Sequence, residues 1–448
     1  MKNKILLFSL LCILLAACAT GPTPSPSPSG PTATPSITPL PSLTPVSTPV
    51  PGVLLVDAGQ KQGAISPLVY GSNFGPEQGS VPLGVQPQAV AAKLTYMRFP
   101  DGNWGDQTDI EQYQVDQFVA MCKQLGCAPA ISVRLKGGSA QQAADLVRYA
   151  NVTKGYKIQY WSIGNEPDLY SGYDTATYVK DWRQFAEAMR GVDPTIKLVG
   201  PDVSQYPAKY AAHPTDPAGK DWMEEFLKAN GDLVDIVSIH RYPFPKSQTS
   251  GPPSINDLRA NSQEWDQLIP ALRAQIRQVL GRDLPVGVTE INSSWAINAG
   301  GEATLDSFYN AIWWGDVLGR LIRQGVDIVA QFEMIGDYGL FTGQSLHPIY
   351  YVYAMYANFG NERVYASSDD PDVSIYASTR ADGALAIMLI NLGPDPATRP
   401  LQIQGFTAGK PAQTWLFDAT HNAEKQPDAA LGSSVTLPGQ SMTLIVLQ

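Results

Sequence analysis

Residues 160–167 read Tyr160-Trp161-Ser162-Ile163-Gly164-Asn165-Glu166-Pro167. Together with Ile158, Tyr160 and Trp161 favour a short buried strand, and Gly164 lets the backbone turn at its end. Pro167 has no N–H to give to a central ladder, so the strand stops before it and Glu166 falls where a loop begins. In a parallel α/β barrel that C-terminal rim is where chemistry is placed. A second run, Leu284-Pro285-Val286-Gly287-Val288-Thr289-Glu290, ends in the same way, on a glutamate. Two rim carboxylates carried by two strands of one barrel are suited to cleaving a glycosidic bond.

Working outward from these two runs gives eight barrel strands: Leu68–Phe74, Thr95–Pro100, Ala128–Val133, Ile158–Ile163, Ile196–Gly200, Val234–His240, Val286–Glu290 and Val326–Phe332. Helical periodicity fills the gaps, at Val115–Leu125, Ala140–Ala150, Ala176–Arg190, Asp221–Ala229, Gln267–Leu280 and Leu305–Gln324. Strict alternation of strand and helix predicts a parallel sheet, and eight repeats predict a closed (β/α)8 TIM barrel over residues 67–360. Beyond Gly360 short apolar runs (Val373–Ala377, Leu385–Leu392, Gln413–Phe417, Met442–Leu447) alternate with turn residues. That texture predicts an antiparallel β-sandwich over residues 361–448. The early strand at Val53-Leu54-Leu55-Val56, within residues 53–66, is expected to join it. The fold class is therefore α/β, a TIM barrel followed by a C-terminal β-sandwich.

The first 18 residues resemble an export device. Lys2 and Lys4 precede an apolar run, Ile5 to Ala17, that is short for a membrane span. Its end, Leu15-Ala16-Ala17-Cys18, resembles the bacterial lipobox, which implies lipidation at Cys18, anchorage to a membrane through lipid alone, and a place at the bacterial cell surface or in the periplasm. Residues 19–52 are dominated by Pro, Thr and Ser, a composition that favours extended polyproline II over a packed core. At about 3.1 Å per residue this tether reaches roughly 100 Å. Cys122 and Cys127 lie close together; the compartment permits a disulfide, and two buried thiols fit equally well. His and Cys show no metal-ligand spacing, so no metal is expected, no calcium loop is apparent, and no cofactor is implied. The formal net charge of −10 and low charged fraction leave nothing to neutralise phosphates, which argues against nucleic acid as a partner. A neutral, hydroxyl-rich polysaccharide or oligosaccharide suits this surface better.

Glycoside cleavage needs one carboxylic acid to protonate the leaving oxygen and a carboxylate on the other side of the sugar. Glu166 is the expected acid/base and Glu290 the expected nucleophile. Trp104, Trp295, Tyr338 and Phe341 follow strand ends, where a ring can stack on a sugar, and Trp104 and Trp295 are the expected platforms. Trp313 and Trp314 lie on a helix and are expected in the core. Glu333 is a third rim carboxylate, expected to contact substrate or structure.

Asn165-Glu166-Pro167 on the fourth barrel strand and Thr289-Glu290 on the seventh resemble the clan A retaining glycoside hydrolases, and the resemblance spans the chain beyond the tether. Families 39, 44, 51 and 79 are the closest in texture. Tyr70-Gly71-Ser72-Asn73 resembles their first-strand signature, with Asn73 as a substrate-binding candidate. Arg98-Phe99-Pro100-Asp101-Gly102-Asn103 resembles their second, and the helix Trp313–Arg320 is similar to family 44. Asp101 stands where a second glycine is expected, and the eighth strand ends Gln331-Phe332-Glu333 without the clan's tryptophan. The resemblance implies that Asn165 binds the sugar 2-hydroxyl and that Arg98 pairs with Glu290. It also implies that His240 and Tyr242 line the cleft, with Tyr242 hydrogen-bonding the nucleophile.

These features imply a retaining enzyme acting on polysaccharide, an endo-β-glucanase or xylanase. An exo-acting α-L-arabinofuranosidase or β-xylosidase is the alternative within enzymes. A non-catalytic sugar-binding surface lipoprotein is the alternative outside them.

Overall fold

The computed structural model describes residues 47–244, 251–296 and 300–448. The lipobox with Cys18 and nearly all of the tether lie outside the described residues. The tether's last residues lie against the β-rich domain: Ser47 Oγ donates to Asp57 and the Gly52 N–H to Asp369.

Eight parallel strands close into a barrel in chain order: β2 (Leu68–Asn73), β3 (Tyr96–Phe99), β4 (Ala128–Val133), β5 (Tyr160–Ile163), β6 (Lys197–Val203), β7 (Ile236–Arg241), β8 (Val286–Ile291) and β9 (Ile328–Gln331). β9 pairs back onto β2. All eight expected strands are present, with ends shifted by a few residues. The largest shift is in β6, which was expected to end at Gly200 before a proline. It continues to Val203, because a register irregularity between Pro201 and Val203 accommodates the missing N–H. Further irregularities fall between Ile239 and His240 and between Val288 and Ile291. All three lie at the C-terminal rim, where they re-aim side chains.

β1 (Leu54–Ala64) leaves the barrel and joins the C-terminal domain, as expected. After a small hairpin, β10 (Phe341–Thr342) and β11 (Ser345–Leu346), the chain forms β12 (Glu362–Ser367), β13 (Val373–Thr379), β14 (Leu385–Asn391), β15 (Ala397–Gln404), β16 (Gln413–Asp418), β17 (His421–Lys425), β18 (Ser434–Leu437) and β19 (Ser441–Leu447). These make one nine-stranded sheet in the order β17-β16-β19-β14-β13-β12-β1-β15-β18. Its ladders are antiparallel except for β1 on β15, a parallel pair that the alternating texture did not disclose. The sheet folds over itself: Leu401 of β15 and Leu437 of β18 share a core with Leu385, Ile387 and Leu389 of β14.

β14 is buried along its whole length because both faces are covered. Leu385, Ile387 and Leu389 face the folded sheet, while Ala386, Met388 and Ile390 belong to the core shared with the barrel. The helix Phe308–Arg323 fills that junction and is buried from Tyr309 through Ile322, Trp313 and Trp314 included. Gly315 and Gly319, one turn apart, allow the approach: a Cβ there would lie 2.4 Å from Met442 Sδ and 2.3 Å from the Tyr376 ring. Asp316 is sealed in the same interface, accepting from Arg320 Nε (2.8 Å) and the Tyr376 hydroxyl (2.6 Å). Cys122 and Cys127 are both free and buried, which decides between the two readings of that pair.

Candidate active site

Glu166 follows β5 with φ +46°, a left-handed conformation rare for a residue with a side chain. Two features hold it there. Gly164, itself at φ +80°, approaches its neighbours so closely that a Cβ would lie 2.9 Å from Leu135 and 3.0 Å from the Tyr170 hydroxyl. The Glu166 N–H then donates to the Asp202 carbonyl at 3.1 Å. Strain of this kind persists only where the surroundings over-determine it. Glu290 reaches the same opening from the end of β8. One carboxylate oxygen from each glutamate and one His240 ring nitrogen all lie within 4.8 Å of one another.

Around this pair the buried groups are closely tied. Arg98, only 1% exposed, donates to Glu290 Oε2 (3.2 Å), Asn165 Oδ1 (2.7 Å) and Asn73 Oδ1 (3.1 Å). The Tyr242 hydroxyl donates to Glu290 Oε1 at 2.6 Å. His240 Nδ1 lies 3.0 Å from Glu166 Oε1 and 3.7 Å from Glu290 Oε2. Asn165 spends its Oδ1 on Arg98 and keeps a buried Nδ2 with no protein partner.

Electrostatics separate the two carboxyls. Burial, reinforced by Asp168 and Asp202 and opposed by Arg98, pushes Glu166 up to about 8, so it holds its proton at neutral pH. Burial also raises Glu290, and a charged Glu166 would add to the rise; Arg98 and the Tyr242 hydroxyl work against it, as does His240 whenever it is protonated. Burial lowers His240 and keeps it neutral. The arrangement is a neutral acid facing a carboxylate that two donors hold. Its spacing would also suit a metal ion, but the Arg98 guanidinium already occupies the cationic side of Glu290, so proton transfer is the better-supported chemistry.

A cleft of about 540 Å³ opens over the pair. Gly102, Asn103, Leu169, Ser204, Gln205 and Phe332 line it with Glu166, Tyr242, Glu290, Trp295 and Tyr338. Trp295 is 41% exposed, as a stacking platform requires. Tyr338 braces it through a hydroxyl hydrogen bond to its carbonyl.

Asn73 and Trp104 lie elsewhere than expected. Asn73 cannot touch substrate, because it is fully buried and its amide donates to the Thr289, Ala330 and Gln331 carbonyls. Trp104 opens a four-residue helix, half-buried and outside the cleft lining, which takes Gly102 and Asn103 from the same loop instead. Phe341 is core. Of the two roles expected of Glu333, the structure shows the structural contact: Gln78 Nε2 donates to it at 2.6 Å and also to Asp101. Leu169, Ser204 and Gln205 went unread, and so did Asp202, whose one signal was an acid just after Gly200-Pro201 at a strand end.

The sequence model described as glycosyl hydrolases family 39 matches residues 146–391, more than half of the chain and a span holding both glutamates. The chain belongs to glycosyl hydrolases family 39. This family 39 chain is 26% identical over 195 residues to an intracellular exo-α-(1→5)-L-arabinofuranosidase of Streptomyces lividans, covering 34% of the chain and 28% of the relative. It is 23% identical to heparanase of Bos taurus (65% and 53% covered) and 26% identical to a β-xylosidase of Geobacillus stearothermophilus (53% and 48%). The chain thus spans about half the length of these curated relatives, or less. Two crystal structures share its fold, each covering 88% of it. One is CelM2, a bifunctional glucanase-xylanase from a metagenome library (98% of that chain, 19% identity, TM-score 0.69). The other is an α-L-arabinofuranosidase from Thermotoga maritima (99%, 18%, TM-score 0.70).

Proposed function

We propose that this family 39 chain hydrolyses O-glycosidic bonds by double displacement, with Glu290 as nucleophile and Glu166 as acid/base. The observation that carries the reading is the approach of the two carboxyls within 4.8 Å. Retaining glycosidases hold the pair about 5–5.5 Å apart, whereas inverting ones leave about 6.5–9.5 Å for a water. Glu290 attacks the anomeric carbon while Glu166 gives its proton to the departing oxygen. The leaving group departs as an alcohol, and the sugar stays covalently bound to Glu290. Glu166, now a carboxylate, takes a proton from water, whose oxygen displaces Glu290 and restores both side chains. Asn165 Nδ2 is the group free to meet the sugar 2-hydroxyl.

The substrate we propose is a neutral plant-type polysaccharide, a β-glucan or xylan cut within the chain. A ring-lined cleft whose ionisable acids are the two glutamates supports this: Trp295, Phe332 and Tyr338 offer faces for sugar rings, and no Lys or Arg is among the described lining residues. The second reading is exo action on arabinofuranosides or β-xylosides, favoured by the relatives named for those activities. Lipid anchorage through Cys18 outside the cytoplasm belongs to the same proposal and rests on the lipobox alone. A Cys18→Ala chain should then fail to take up labelled palmitate.

The deciding experiment incubates the protein with polysaccharides and aryl glycosides, follows product size and anomeric configuration, and adds a fluorosugar to trap the intermediate. Retention with the label on Glu290 is expected. A label on Glu333, or inverted product, overturns the assignment.

A further inference from the structure

Asp202 is a third carboxylate of this site that takes no part in the double displacement. It lies on β6, 1% exposed, at φ +54°. Its Oδ1 accepts hydrogen bonds from the Ser238 hydroxyl on β7 and from the Thr289 hydroxyl on β8, the latter at 2.6 Å. Its Oδ2 accepts no hydrogen bond and lies 3.7 Å from Arg98 Nη2. His240 Nε2, otherwise without a partner, is 3.9 Å from Oδ1. Its backbone carbonyl holds the Glu166 N–H. Strands β3, β7 and β8, which carry Arg98, His240 and Glu290, and the turn after β5, which carries Glu166, therefore all meet at this one residue.

We propose that Asp202 is a positioning residue of the active site, whose fixed buried charge decides which of the two glutamates carries the proton. The proposal rests on the reading of Glu166 and Glu290 given above. Arg98 brings one positive charge to the cluster, and Asp202 and Glu290 already bring two negative ones. A charged Glu166 would add a further anion to a space with little water, beside Asp168 as well, so Glu166 keeps its proton and is available as an acid. Asp202 cannot relieve the imbalance by taking the proton itself, because two hydroxyl donors and Arg98 favour its charged form. In agreement, burial works to raise Asp202, yet Arg98 and the two hydroxyls, joined by His240 whenever it is protonated, bring it below the usual carboxylate range.

Other charged and titratable groups face the same space. Glu166 is faced by Asp168 on its own loop, Asp106 from the loop after β3, and Tyr242 beyond β7. Asp202 is also faced by Tyr96 on β3 and Tyr178 on the helix Thr175–Val192. Asp168 stays in place when Asp202 is neutralised, so the effect of removing Asp202 is partial.

The test is the pH profile of kcat/KM on an aryl glycoside for the parent and for Asp202→Asn. Losing the anion eases ionisation of Glu166 and leaves Arg98 freer to hold Glu290 charged, so both limbs move to lower pH. A displacement of about one unit is expected for the alkaline limb. Relative to each protein's own optimum, activity at pH 8 then falls about fivefold. A lower profile with both limbs unmoved would mean a merely structural role and overturns the proposal. Should the variant not fold, ¹³C-carboxyl NMR of the parent decides: Asp202 should stay ionised from pH 5 to 9, and titration near neutrality overturns the proposal. Failure of the underlying reading looks different, because Glu166→Gln and Glu290→Gln would then turn over substrate like the parent.

Discussion

Replacing Tyr242 by Phe removes one atom from the site and leaves its shape intact. The ring is 3% exposed and packs edge-on against Phe332, with centroids 6.5 Å apart, and Phe keeps that contact. What is lost is the hydroxyl that donates to Glu290 Oε1 at 2.6 Å. A hydrogen bond to a charged group contributes about 1.5–3 kcal/mol. At 1.36 kcal/mol per unit, that is about one to two pH units of preference for the charged nucleophile. The sign is fixed because a phenol hydroxyl donates more strongly to a carboxylate than to a neutral carboxyl, so the variant's Glu290 takes up a proton at higher pH. The acidic limb of kcat/KM should therefore rise by about one to two units, and rates well below that limb should fall about 10- to 100-fold. The alkaline limb, which reports Glu166, should move far less. Initial rates on an aryl glycoside between pH 4 and 9, with thermal melts to verify folding, make the measurement. An acidic limb that stays in place while Tyr242→Phe folds normally would refute this account of how Glu290 is kept ionised.

Other perturbations separate stability from chemistry. Glu166 sits at about 8 when folded and near the ordinary carboxylate value when unfolded, so its contribution to stability is present below about pH 4.5 and lost as pH rises through 8. Glu166→Gln, permanently neutral, should gain melting temperature over the parent at pH 8 but not at pH 4, while losing about 10²- to 10⁴-fold in turnover of poor leaving groups. Trp295→Ala should raise KM for polysaccharide several-fold, in line with about 0.5–1.5 kcal/mol for a lost ring contact, and leave kcat nearly unchanged. Asp316→Ala should cost about 3 kcal/mol in urea unfolding, since it strands Arg320 and the Tyr376 hydroxyl in the helix–sheet junction; Arg320 keeps Asp266, which holds the loss at the low end of the range for broken buried pairs.

The barrel was legible because burial on both faces writes each parallel strand as an apolar run, and a turn residue ends it before each helix. The run Val286-Gly287-Val288-Thr289-Glu290 needed little more than its own letters. The folded-over sheet was harder to read. The textures of β13, β14 and β19 announce strands, but β14 is apolar at consecutive positions because a helix covers one face and a second core covers the other. Alternation, the usual guide to sheet faces, is erased there. The parallel pairing of β1 with β15 depends on where two strands distant in sequence come to lie, and no local pattern records it.

The same distinction runs through the site. Glu166, Glu290, Arg98, His240 and Tyr242 lie together in the structure, and each belongs to a motif at a strand end. Asn73 belongs to such a motif too, yet it serves the backbone carbonyls of β8 and β9, since a side chain at this depth inside a barrel meets the neighbouring strands before it meets a ligand. Asp202 shows the opposite failure. It lies just beyond the expected strand end at Gly200, and an acid in a loop reads as a solvated one. The irregularity around Pro201 instead turns its carboxylate inward, under Arg98 and between two hydroxyls. Motifs locate the groups that touch substrate, whereas the charge balance that prepares them is a property of the closed barrel. It follows that a barrel retaining all five motif residues but lacking an anion at 202 should bind its sugar yet keep the proton on its acid only up to a pH about one unit lower.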